Sequence, residues 1–112
     1  MRRAELLRLR ERLLDARPQL TDEIHRSIEA IVQVIQPMGE DTKEPSEGLE
    51  KELALERAQE SILNAVNEAL DRIDAGTYGK CVECGKSIER PRLEAIPYTA
   101  YCVDCERALE SA

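Results

Sequence analysis

Apolar residues keep a helical beat over the first 36 positions of the chain. Leu6, Leu9, Leu13, Ala16, Leu20, Ile24, Ile28, Ile31 and Ile35 step by three or four and define one stripe, which Leu7, Leu14, Val32 and Val34 widen. A helix is therefore expected from Arg2 to about Gln36. Pro18 interrupts the beat: it removes a backbone donor and clashes with the preceding turn, so a kink or short break is expected there. The stripe resumes in phase at Leu20. Residues 37–48, PMGEDTKEPSEG, carry two prolines, two glycines and several turn-forming polar residues, and predict a turn-rich connection. A second helix is predicted from about Glu47 to Ala75, with Ser46 as its N-cap. Its stripe is Leu55, Ala58, Ile62, Val66, Ala69 and Ile73, flanked by Leu49, Leu53 and Leu70. Gly76 stands where a helix-terminating glycine belongs.

Two amphipathic helices of similar length joined by a short loop bury their stripes by packing antiparallel. The fold class expected is mainly α: a long antiparallel helical hairpin, or coiled coil, over residues 1–76 with its tip at 37–48. A small C-terminal four-cysteine module follows at 77–112. Composition supports an elongated form over a thick globule. The chain of 112 residues has no Phe or Trp and three Tyr, and 35% of it is charged. No apolar run is long enough to span a membrane, and the charged N-terminal stretch offers no apolar signal region. A cytoplasmic chain with reduced cysteines is expected.

The net charge of −7 is unevenly spread. Residues 37–76 hold eleven acidic and four basic side chains, while the flanking segments are near neutrality. Nucleic-acid binding relies on phosphate neutralisation by Lys and Arg, so this distribution argues against DNA or RNA as the main ligand. An acidic face that only maintains solubility is the plainer alternative.

Cys81, Cys84, Cys102 and Cys105 read C-x2-C-x17-C-x2-C, a spacing suited to a four-cysteine zinc site. Each CxxC turn can aim two sulfurs at one ion, and Gly85, following Cys84, suits a turn that requires positive φ. Two disulfides or a redox pair are disfavoured by the expected cytoplasm and by the lack of a βαβ pattern. Iron would satisfy the spacing as well as zinc. Four sulfur ligands leave no open position for an activated water, so one structural metal ion is expected. With no catalytic pairing elsewhere, the chain is not expected to be an enzyme. His25 is a lone histidine on the first helix and is given no role.

Read together, GTYGKCVECGKSIERPRLEAIPYTAYCVDC resembles the DksA/TraR family of bacterial zinc-finger proteins. The particular matches are Tyr78-Gly79 before the first CxxC, Gly85 after it, and the run from Arg92 to Pro97 before the second. The resemblance implies a coiled-coil hairpin beside a four-cysteine zinc domain. It also implies a transcription regulator that binds RNA polymerase without sequence-specific DNA contacts and inserts the hairpin into the polymerase secondary channel. Such a regulator brings an acidic tip near the catalytic centre. The candidate tip acids are Glu40, Asp41, Glu44 and Glu47, with Glu40 and Asp41 foremost. The family's well-studied tips carry two aspartates three residues apart, then a small residue. Here Asp41 takes the second aspartate position, Met38 the first and Lys43 that of the small residue. Of the basic residues Lys80, Lys86, Arg90 and Arg92, which could also balance the charge of a four-thiolate centre, Arg92 is the candidate polymerase contact. Family members that respond to guanosine tetraphosphate use basic residues where this chain has Ala65, Ile96 and Glu106, so a weak or absent response is expected. A monomer is expected. The competing reading is a zinc-stabilised helical adaptor between proteins, without a working tip.

Overall fold

The computed structural model describes residues 1–35 and 47–111. Four helices follow in chain order: α1 (Arg3–Ile35), α2 (Glu47–Ala75), α3 (Arg90–Ala95) and α4 (Val103–Glu110). The architecture is mainly α, with the four-cysteine module after the two long helices. Among the described residues the β-pairing is limited to one antiparallel bridge, between Lys80 and Ser87. No described helix is long and apolar enough to cross a membrane.

α1 is continuous through Pro18, so the short break that the sequence allowed there does not occur. One missing donor removes a single ladder bond, and the turns on either side carry the helix past it. α2 begins at Glu47 and ends at Ala75, as its stripe predicts. Gly76 adopts φ +77°. Its N–H bonds to Ile73 O at 3.2 Å and that of Thr77 to Arg72 O at 2.9 Å, the paired bonds of a Schellman cap. The expected N-cap Ser46 lies outside the described residues, as does most of the connection at 37–48.

The chain divides into two compact units, one of Met1–Arg17 with Asn64–Ala112 and the other of Pro18–Leu63. In the first, α1 and α2 pair through Leu9, Leu13, Val66, Ala69 and Leu70, all buried. These side chains lie on the predicted stripes or beside them. A second cluster in the same unit joins Cys81, Ile88, Leu93 and Cys102, with Tyr78, Tyr101 and Cys105 packed against it.

The second unit departs from the expected seam. Ile24 and Leu49 are buried there, but Ile28, Ile35 and Leu55, assigned to the stripes, are 44%, 52% and 49% exposed. Ser27 is buried instead, and its hydroxyl donates to Gln59 Oε1 at 2.9 Å. The physical reason is angular drift. Steps of three and four follow a 3.6-residue turn only on average, so over many turns the contact line moves onto neighbouring positions.

The two units also differ in charge. Pro18–Leu63 contains eleven acidic and four basic residues, and the other unit twelve of each. The whole formal charge of −7 thus belongs to one unit.

Candidate metal centre

The first ligand pair sits on a tight loop. Lys80 and Ser87 bridge, Ile88 N–H bonds to Gly79 O at 2.8 Å, and Cys81 N–H bonds to Lys86 O at 2.8 Å. Gly85 closes the turn at φ +76°, its N–H donating to Cys81 O at 2.9 Å. A side chain at that φ would be strained, which gives the glycine after Cys84 a backbone reason. The second pair is built differently. Cys102 is the N-cap residue of α4 and Cys105 lies in its first turn, with Glu106 N–H bonding to Cys102 O at 2.9 Å. Val82 N–H donates to Ala100 O at 2.9 Å and ties the two arms together.

These local structures bring all four sulfurs within 4.8 Å of one another. Cys84 Sγ and Cys102 Sγ stand 3.8 Å apart. A tetrahedron with metal–sulfur bonds of about 2.3 Å has edges of about 3.8 Å, so the donor set fits one zinc ion. Cys81 and Cys102 are buried, Cys105 is half-buried and Cys84 is exposed. Burial pushes the Cys81 thiol up. The amides of Cys84, Cys102 and Glu83, with the Cys105 side chain, outweigh it and bring the group down to about 6. Cys105 is held well above the ordinary thiol range, chiefly by its hydrogen bonds with Cys102 and Cys81.

Arginine–carboxylate contacts fasten α1 to the module. The Arg8 guanidinium donates through two nitrogens to the two carboxylate oxygens of Glu94. Arg12 donates to Glu94 O at 2.8 Å and lies 3.5 Å from its carboxylate. Arg90 and Glu5 form a further pair at 3.3 Å. The Arg8 hydrogen bond, with the charges of Arg8, Arg12 and Arg90, holds the Glu94 carboxyl below the usual range against a smaller effect of burial. On the other side, Tyr78 Oη donates to Pro97 O at 2.9 Å, and burial raises the phenol to about 12. The phenol therefore remains a donor through the physiological range.

A family model for the prokaryotic dksA/traR C4-type zinc finger matches residues 76–111. The chain is also similar over most of its length to a solved structure, the DnaK suppressor protein from Agrobacterium tumefaciens. That pair shares 31% identity and a TM-score of 0.61, and the match covers 89% of each chain. The chain belongs to the DksA/TraR family. The RNA polymerase-binding transcription factor DksA of Escherichia coli is 29% identical over 113 residues, covering 98% of this chain and 74% of that protein. An uncharacterised protein of Aquifex aeolicus is 38% identical over 84 residues, and this chain spans 58% of its length. Membership resolves the choice of metal that spacing left open: the DksA/TraR centre is a C4-type zinc site for one ion.

The structure thus brings the four predicted ligands together. Arg92 lies in the same module with its side chain 19% exposed, directed at Tyr101 O and Glu106. Glu40, Asp41 and Glu44 lie outside the described residues, and Glu47 opens α2. Sequence reading missed the fastening role of Glu94 and the donors Arg8, Arg12, Arg72 and Tyr78. Tyr78 and Glu94 stood within the recognised motif. Arg8 and Arg12 carried no signal, because their partner is more than 80 residues away.

Proposed function

We propose that this chain is a transcription regulator that binds bacterial RNA polymerase. In this reading an acid-tipped helical hairpin enters the secondary channel and the zinc module braces its base. The observation that carries it is the charge distribution: one unit holds the entire net −7, while the unit with the four cysteines is neutral. A solubilising surface has no need of such segregation. A probe directed at basic channel walls or at a magnesium-bearing centre does, since charge complementarity orients docking and speeds it. The relative in Escherichia coli is named as an RNA polymerase-binding factor. Glu40 and Asp41 are the proposed working acids. The zinc is structural, no catalysis is assigned to the chain, and its place of action is the cytoplasm, as a monomer.

Guanosine tetraphosphate is proposed to have little effect through the family's basic contacts. Ala65 and Ile96 cannot neutralise a phosphate, and Glu106 is acidic and 3.6 Å from Arg92. The test is a pull-down with purified core polymerase, competed by another secondary-channel factor. It is paired with transcription by the double variant Glu40→Lys, Asp41→Lys. Binding retained with regulation abolished supports a working tip. Binding with unchanged regulation favours the adaptor, and no binding to polymerase removes the proposal.

A further inference from the structure

The second arm of the zinc site has irregular backbone from Ile96 to Tyr101, yet its carbonyls are engaged in close succession. Pro97 O accepts from Tyr78 Oη at 2.9 Å, Thr99 O from Arg72 Nη2 at 3.4 Å, and Ala100 O from Val82 N at 2.9 Å. Tyr101 O accepts twice, from Arg92 Nε at 2.9 Å and Thr99 Oγ1 at 3.2 Å. Irregular backbone that must present a ligand needs such partners, because it has no ladder of its own.

Arg92 occupies a special place in this set. Its Nε holds the carbonyl of Tyr101, whose peptide bond leads into Cys102. Its Nη2 lies 3.6 Å from the carboxylate of Glu106, the residue after Cys105. One guanidinium thus grips both sides of the second ligand pair and joins α3 to α4. The planar fork matters: its donors diverge at fixed angles, whereas a lysine ammonium is a point charge on a flexible stem. Pro91 precedes Arg92 in the first turn of α3, and Leu93, buried at 2% exposure, anchors the next position. The rotatable stem therefore leaves a well-seated backbone.

We propose that Arg92 is a positioning residue for the zinc centre, holding Cys102 and Cys105 in the geometry that retains the ion. Its guanidinium is engaged within its own module, so contact with a partner would compete with both internal contacts. This assignment is independent of polymerase binding.

The test follows zinc release from the full-length, zinc-loaded chain to a chromogenic chelator. Arg92→Met should release zinc roughly 10–100-fold faster than the parent, the scale for losing one charge-assisted, partly buried hydrogen bond together with an ion pair. Arg92→Lys keeps the charge but not the fork, and its rate should lie nearer that of Arg92→Met than that of the parent. Glu106→Gln removes the ion pair and spares the Tyr101 contact, so a few-fold change is expected. Arg107→Met removes an exposed cation from the same module and should behave as the parent. Release from Arg92→Met at the Arg107→Met rate overturns the assignment. Full restoration by lysine does so too, because charge alone would then suffice. Should Arg92→Met fail to fold, Arg92→Lys and Glu106→Gln decide. If Arg92→Lys retains zinc like the parent but no longer binds core polymerase, a contact role replaces the positioning one.

Discussion

All three tyrosines, Tyr78, Tyr98 and Tyr101, lie in the metal module, and the chain has no Trp or Phe. The near-ultraviolet tyrosine signal therefore reports on the module, while the helical far-ultraviolet signal is dominated by α1 and α2. Removing zinc with a strong chelator should separate the two. Ile88 and Leu93 are the aliphatic members of the module's buried cluster, whose other members are the ligands Cys81 and Cys102. Burying two such side chains contributes about 3–6 kcal/mol. A four-cysteine zinc site contributes about 10–16 kcal/mol. Zinc thus stabilises the module roughly threefold more than its aliphatic side chains do, so the module should unfold without the metal. α3 and α4 hold 6 and 8 residues against 33 and 29 in α1 and α2. Melting of the module alone should thus remove roughly a fifth of the helical signal while the tyrosine band collapses. Leu9, Leu13, Val66 and Ala69 keep the α1–α2 seam. Readdition of one equivalent of zinc should restore both signals. A tyrosine band that survives complete chelation would refute a structural role for the metal. Loss of far more than a fifth of the helical signal would refute the autonomy of the seam.

Three further outcomes are expected. Lowering the pH should release the Glu94 latch: the carboxyl's folded value is depressed, so its contribution is complete above the ordinary carboxylate value of about 4.3 and is lost as pH falls through the lower, folded one. Glu94→Gln should lose that contribution at neutral pH as well, seen as a small fall in Tm at low salt that high salt removes. Ser27→Ala deletes a buried donor to Gln59 and should cost about 1 kcal/mol, or roughly 4 °C in Tm for a chain of this length, read by thermal denaturation. Pro18→Ala restores one ladder donor within a continuous α1 and should stabilise by up to about 3 kcal/mol, seen as a rise of several degrees in Tm.

What the sequence determined by itself was local. Helical spacing places α1 and α2, because an apolar stripe read at 3.6 residues per turn needs no knowledge of its partner. Gly76 and Gly85 announce positive φ, because only a residue without Cβ enters that region cheaply. The C-x2-C pairs declare a metal site, because thiolate geometry is set by a few intervening peptide units. The tertiary structure decided what depends on distant residues. That Ser27, and not Ile28, enters the seam follows from the packing of one helix on another, which a single stripe cannot foresee. That Glu94 receives Arg8 and Arg12, and that Arg92 turns inward to Tyr101 and Glu106, follows from how α3 is seated in its unit. A charged side chain reads the same in sequence whether it faces water or a partner 86 residues away. Its role is set by the folded chain that brings the partner within reach.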